Sequence, residues 1–241
     1  MHLPQGTPSK GLLNELGLWS VKNIILQKKL MYLHKLINYK QDNLARKAFI
    51  IQTKQPGETW WSSLKNEASD ANINLDLDQL QIITKNQWKN LINTSIQNIQ
   101  AEEFREWSQN SKKCNNLKPQ NTCQAYLQEL SKEDAFIILK ERLKITPVKS
   151  NFKNMFGNQL CRLCSSHEET TKHLIECSQP EKATQEILKN FENQILDVES
   201  QNTQELRLIA QLIKSSLSIA SALDAAALPP GSDFKEDQAT N

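Results

Sequence analysis

The sequence predicts an all-α protein, and three observations carry the prediction. Apolar residues recur at helical spacing in one run after another, and nowhere do they alternate with polar residues over the length of a strand. Several runs follow a Ser, Thr, Asp or Asn placed to accept the orphan backbone N–H groups of a helix start. Only 6 glycines and 8 prolines punctuate 241 residues, which suits helices joined by short turns better than a sheet. Hydrophobic residues make up 38% and Asn and Gln are abundant, so the core must be thin or divided.

The elements follow in order. Residues 1–11, with Pro4, Gly6, Pro8 and Gly11, read as a loop. Ser20 caps a helix to about Asn38, with Val21, Ile24, Ile25, Met31, Leu36 and Ile37 toward one side; Lys22, Lys28, Lys29 and Lys35 make it basic. A second helix, about Asp42 to Thr53, stops before Pro56-Gly57, the best boundary in the first half. Trp60-Trp61 opens a short helix to about Ala71. Paired tryptophans can stack on bases, but aromatic burial places at least one in a core. Asp76 and Asp78 precede an apolar periodic run and read as caps rather than a metal pair. Thr84 with Gln87 makes a capping box for a helix over about 85–109, whose Trp88, Leu91, Ile92, Ser95, Ile96, Ile99, Glu103 and Trp107 keep one face. Cys114 and Cys123 match no ligand spacing and read as ordinary thiols.

From Ser131 to Lys144 a helix shows Ala135, Ile138, Leu139 and Leu143 on one face. Then Lys140, Arg142, Lys144, Lys149 and Lys153 interleave with Phe152 and Phe156, a candidate surface for phosphates and bases. Pro180 suits the first position of a helix carrying Ile187, Leu188, Phe191 and Ile195. Asn202 or Thr203 caps the last helix, with Leu206, Ile209, Ile213, Leu217 and Ala220 inward, and these two helices are expected to form an antiparallel hairpin. The run Leu206 to Ala227 is the most apolar, yet Arg207, Gln211, Lys214 and repeated serines argue against a membrane span. Residues 229–241 are polar, begin Pro229-Pro230-Gly231, and are expected to be disordered.

Between these helices lies the one segment whose spacing carries chemistry. Cys161 and Cys164 form a Cys-x2-Cys turn, and His173 and Cys177 follow at i and i+4, so a helix sets both on one face. A turn plus one helical face supplies the four N/S ligands of tetrahedral zinc. Ser166 with Glu169 reads as the capping box that starts this helix. His167 is a rival ligand, but in a first helical turn it lies too close to Cys164 and reads as surface. A disulfide fits less well, because the 5 cysteines are odd in number and nothing at the N-terminus resembles a signal or transit peptide.

Cys-x2-Cys, then Glu168-Glu169-Thr170, then His173-Leu174-Ile175-Glu176-Cys177, resembles the zinc-binding segment near the carboxyl end of non-LTR retrotransposon reverse transcriptases. Val148-Lys149-Ser150-Asn151-Phe152-Lys153 is similar to the basic stretch leading into that segment. Glu15-Leu16-Gly17-Leu18-Trp19-Ser20-Val21 and Lys28-Lys29-Leu30-Met31-Tyr32-Leu33-His34 resemble the region just after the polymerase palm. The likeness spans about residues 5–178. It implies a division into thumb-like basic helices (1–55), a helical connector (56–147), a zinc knuckle (148–180), a helical hairpin (181–228) and a tail (229–241). It also implies nucleic-acid binding in target-primed reverse transcription, with element RNA, target DNA and the rest of the reverse transcriptase as partners.

Catalytic groups are a different matter. The chain has no Asp-Asp pair for two metal ions, no Gly-rich phosphate loop, and only 4 histidines, of which two lie in the zinc segment. Four protein ligands close a zinc site to water. The expectation is therefore one structural zinc per chain and no enzymatic activity of the chain by itself. Net charge is only +2, so any nucleic-acid surface must be local. Lys149, Phe152, Lys153 and Arg162 around the knuckle, with Lys22, Lys28 and Lys29 on the first basic helix, are the candidate contacts. The setting is expected to be intracellular and reducing, nucleus or cytoplasm, with no membrane. Two other readings stay open: a zinc-stapled helical module for protein interaction, and a non-functional relic of such an element.

Overall fold

The structure, a computed structural model, describes residues 6–179, 181–198 and 202–227. The described residues form helices and no strands; the one extended pairing is an isolated antiparallel bridge between Leu160 and Glu168. The chain folds as two compact units, Ser9–Cys123 and, with the first eight residues, Gln124–Asn241.

The first unit holds α1 (Ser9–Glu15), α2 (Val21–Ile37), α3 (Leu44–Lys54), α4 (Trp60–Asp70), α5 (Leu77–Ile82) and α6 (Lys85–Gln109). The caps expected at Ser20, Asp76 and Thr84 each accept backbone N–H groups at the start of a helix, and Thr84 with Gln87 closes a reciprocal box. Asn43 and Thr59, which the sequence did not single out, cap α3 and α4 in the same way. Helix α2 is central and packs on α3, α4, α5 and α6. Its Leu26, Leu30, Leu33, Leu36 and Ile37 share one core with Phe49, Trp61, Leu64, Leu80, Trp88, Ile92 and Ile96. That core runs across Pro56-Gly57, so the segments expected to part there belong to one unit.

Two tryptophans show how the core is keyed. Trp88 is buried and its Nε1–H donates to the Leu30 carbonyl of α2 at 3.0 Å. Trp61 is buried and meets the Phe49 ring edge-on at 5.5 Å, while Trp60 lies half-buried against Tyr32 and Phe49. On α6 the buried row is Trp88, Ile92, Ile96, Phe104 and Ser108. Leu91, expected inward, is exposed, and Phe104 and Ser108 are buried where Glu103 and Trp107 were expected. The far half of α6 turns Phe104 toward a small cavity lined by Leu13 and Leu18, which the first half never meets.

Residues 9–15, expected as loop and unassigned chain, are helical. Gly17 ends α1 in a Schellman turn: its N–H reaches the Asn14 carbonyl at 3.1 Å and the Leu18 N–H reaches the Leu13 carbonyl at 2.9 Å. Gly17 has φ +61°, and a Cβ there would lie 2.2 Å from the Thr122 carbonyl carbon. Asn14 fixes the same approach, accepting from the Gln120 N–H and donating to the Lys118 carbonyl.

The second unit holds α7 (Tyr126–Glu129), α8 (Lys132–Arg142), a 3-10 turn (Lys149–Phe152), α9 (Thr171–Ser178), α10 (Lys182–Leu188), α11 (Phe191–Leu196) and α12 (Thr203–Ala227). Ala135, Ile138, Leu139 and Leu143 are buried as expected, and so are Leu206, Ile209, Ile213 and Ala220 of α12. Asn202 caps α12, its side-chain oxygen accepting from Gln204 N–H at 2.9 Å. By length and composition alone α12 is apolar enough to cross a bilayer; here its inward face packs on α8 and α9. The expected hairpin partner is broken into α10 and α11, which lie on α9 and α8. Arg142 explains part of this arrangement. It is buried, stacks over the Tyr126 ring, and donates to the Ile195 and Leu196 carbonyls at the end of α11. Pro180 and residues 229–241, with the cap and tail expected there, lie outside the described residues.

Candidate metal centre

The ligand atoms of Cys161, Cys164, His173 and Cys177 all lie within 4.8 Å of one another. His173 Nε2 stands 3.3 Å from the Cys164 sulfur and 3.1 Å from the Cys177 sulfur. A zinc tetrahedron with Zn–S and Zn–N bonds of about 2.3 and 2.0 Å has edges of roughly 3.5–3.8 Å. The cluster therefore fits such an ion with small adjustments of side chains. All four expected ligands come together, from a turn and from one face of α9.

The helix does not start where the sequence placed its cap. Thr170 is the N-cap of α9 and its Oγ1 accepts from the His173 N–H at 3.1 Å. Ser166 instead donates to the Cys164 carbonyl, and Glu169 is taken up elsewhere. Glu169 has 0% exposure. Its carboxylate accepts from the backbone N–H of Lys149 and of Arg162, and from the Arg162 guanidinium through Nε and Nη2 at 2.9 and 2.6 Å. This two-pronged pair is the strong form of a charged hydrogen bond. The second face of Arg162 reaches Asp224 of α12 at 2.6 Å and the Pro147 carbonyl at 3.2 Å. Burial by itself pushes the Glu169 carboxyl up, but the Arg162 guanidinium and the backbone donors outweigh it and hold the group below the usual carboxylate range.

One carboxylate thus links the lead-in, the Cys-x2-Cys turn and, through the next residue, the helix that carries His173 and Cys177. Backbone pairs complete the frame. Cys161 N–H donates to His167 O at 2.7 Å, Glu169 N–H to Gln159 O at 2.8 Å, and Ser165 closes the turn with φ +54°. A second buried carboxylate, Glu141 on α8, accepts from the hydroxyls of Thr146 and of Thr171, the first residue of α9, both at 2.7 Å. Behind the ligands, Val148, Cys161, Leu174 and Ala220 form an apolar cluster with Leu163 and Leu217 packed against it.

The thiols are electrostatically unequal. Hydrogen bonding from the Ser166 backbone, reinforced by His173 and His167, pulls Cys164 down to about 5. Burial, and then the neighbouring Cys164 and Cys161 sulfurs, push Cys177 up to about 12. Three sulfurs converging on one point cannot all ionise without a cation between them, and a divalent ion removes that conflict. Three thiolates and one imidazole are a soft donor set, suited to zinc among the common divalent ions.

The candidate nucleic-acid contacts are largely engaged within the chain. Lys149 Nζ donates to the Leu160 carbonyl at 2.8 Å, Lys153 pairs with Glu168 at 2.9 Å, and Arg162 is held as described. Phe152 is half-buried, whereas Met155 and Phe156 are exposed at the tip of the same loop. In the other unit Lys29 pairs with Glu67 at 2.7 Å, while Lys22 and Lys28 stand exposed on α2. Of the cations expected beside the lead-in, Arg142 is interior, Lys144 pairs with Glu141, and Lys140 lies 4.4 Å from the Phe136 ring centre.

Glu169 and Glu141 were not legible as site residues. Glu169 is held by Arg162 and the Lys149 N–H, 7 and 20 positions away, and Glu141 by Thr171, 30 positions away, and no ligand or capping spacing marks such pairs. Comparison with protein-family models, curated proteins and solved structures finds no match to this chain.

Proposed function

We propose that this chain is a zinc-binding, nucleic-acid-binding C-terminal portion of a non-LTR retrotransposon reverse transcriptase. In this reading zinc is structural, one ion per chain, held by Cys161, Cys164, His173 and Cys177. The four ligands close its coordination sphere, and the chain by itself has no polymerase activity. The ion fixes the backbone of the turn, and the loop before it offers Lys149, Lys153 and Phe152 to the phosphates and unstacked bases of element RNA or target DNA. Such chemistry belongs in a reducing intracellular compartment, nucleus or cytoplasm, where thiols stay available to metal. The observation that carries the reading is the convergent Cys3His cluster directly after a lead-in bearing cations and aromatics.

A second reading has its own support. Lys149, Lys153, Arg162 and Lys29 already have partners inside the chain, which suits a zinc-stapled module that binds protein rather than nucleic acid. Binding of RNA and single-stranded DNA across a range of salt separates the two. Phosphate contact makes log affinity fall with log salt by about 0.7 per phosphate on a single strand. The double variant Lys149→Ala, Lys153→Ala should flatten that slope by roughly one to two phosphates while zinc content stays the same. No binding at low salt would hand the case to the protein-interaction reading.

A further inference from the structure

His167 stands outside the four-ligand cluster but against it. The sequence placed it in a first helical turn, too close to Cys164 to complete a tetrahedron. In the structure that turn does not exist, and His167 sits in the exposed stretch Ser165–Glu168 between the Cys-x2-Cys turn and α9. Its ring lies 5.1 Å from the His173 ring, centre to centre, tilted by 41°. Its backbone N–H and ring also lie near enough to Cys164 to help lower that thiol. Its carbonyl accepts from Cys161 N–H at 2.7 Å, so its backbone is pinned to the ligand turn while its side chain faces solvent.

We infer that His167 is a reserve metal ligand, able to take the coordination position of His173 at the same centre. The inference rests on the metal reading of the Cys3His cluster. Geometrically, the two imidazole rings are neighbours, 5.1 Å apart, beside the ligand cluster. A swap exchanges one neutral imidazole for another, so the charge and the N/S composition of the site do not change. The two histidines differ in how they are held. His173 is set by α9 and its Thr170 cap, whereas His167 is an exposed side chain on a short loop whose ends are tied by Cys161 N–H to His167 O and by the Arg162–Glu169 pair. Rotation of a side chain, without movement of the frame, is what the exchange requires. A tetrahedral ion has no fifth position to fill, so His167 stays outside while His173 is bound.

The test uses the full chain in four forms: unaltered, His167→Ala, His173→Ala, and the double variant. Zinc affinity is measured by chelator competition, and Co2+ is used as a spectroscopic probe of four-coordinate sulfur–nitrogen ligation. His167→Ala should bind one zinc with affinity close to the unaltered chain. His173→Ala should bind about 10- to 100-fold more weakly, the scale of a perturbed metal environment, and should keep a four-coordinate cobalt spectrum. The double variant should fall by at least a further factor of about 100, since it offers only three protein ligands. In His173→Ala alone, zinc should shift the ring nitrogen resonances of His167. Each variant is read against its own metal-free form, so loss of order before metal is added does not obscure the result. Equal affinities for His173→Ala and the double variant, or unmoved His167 resonances, would overturn the inference and leave the metal reading intact. Absence of zinc binding by the unaltered chain would overturn both.

Discussion

Substituting Glu169 by Gln tests whether one buried carboxylate holds the two halves of the metal site together. Glu169→Gln keeps the shape of the side chain but removes its charge and turns one acceptor oxygen into a donor. In the structure that carboxylate accepts four hydrogen bonds, two from backbone N–H groups and two from a guanidinium only 14% exposed. The amide keeps one oxygen for two of them and turns its N–H2 toward the others. Removing one partner of a buried ion pair typically costs about 3–5 kcal/mol, because the remaining charge is left uncompensated. Arg162 retains Asp224 and the Pro147 carbonyl, which places the expected loss at the lower end, about 3 kcal/mol. Ordering of the finger and binding of zinc are linked, so that loss should appear as zinc affinity weakened by about 100-fold. Chelator competition measures it directly, with circular dichroism to confirm that helical content outside the finger is retained. Zinc affinity unchanged to within about threefold would refute the reasoning, and the Arg162–Glu169 pair would then be an ornament of the fold.

Three further outcomes follow from the same structure. Acidification should act on the site in two stages. In the metal-free protein the Cys177 thiol is pushed up to about 12, so zinc must displace its proton, and affinity should rise about tenfold per pH unit through neutrality on that account alone; a flat pH profile would contradict this. Glu169 is depressed in the folded protein, so its contribution to stability is present above the unfolded carboxylate pKa and is lost only as pH falls through the lower folded value. Finger order in the presence of zinc should therefore fail first by metal release and the frame should fail at lower pH, seen by zinc release alongside near-ultraviolet dichroism. Gly17→Ala puts a Cβ 2.2 Å from the Thr122 carbonyl carbon at φ +61°, and should destabilise the first unit by at least about 2 kcal/mol in urea; an unchanged midpoint would mean the Schellman turn is not where the chain meets residues 118–123. Trp88→Phe removes the indole N–H that serves the Leu30 carbonyl and leaves that buried acceptor without it, at about 1–2 kcal/mol with an unchanged denaturant slope.

Local signals, those complete within about a turn of the residue concerned, were legible in the sequence alone. The starts of α2, α5, α6 and α12 follow from Ser20, Asp76, Thr84 and Asn202, because a cap and the N–H groups it serves lie within three residues. The metal ligands were legible for the same reason: Cys161 and Cys164 share a turn, and His173 and Cys177 share a helical face. Tertiary contacts decided the rest. Ser166 and Glu169 have capping-box spacing, yet Arg162 and the Lys149 N–H claim the Glu169 carboxylate and the helix starts later, at Thr170. Arg142 has the sequence context of a surface cation, but the free carbonyls at the end of α11 give it a buried place. Gly17 is one of 6 glycines in the sequence, and only the approach of Thr122 makes it one that cannot change. A local pattern says which groups a residue is able to satisfy; which of them it satisfies depends on partners brought close by folding, and their distance along the chain carries no mark of it.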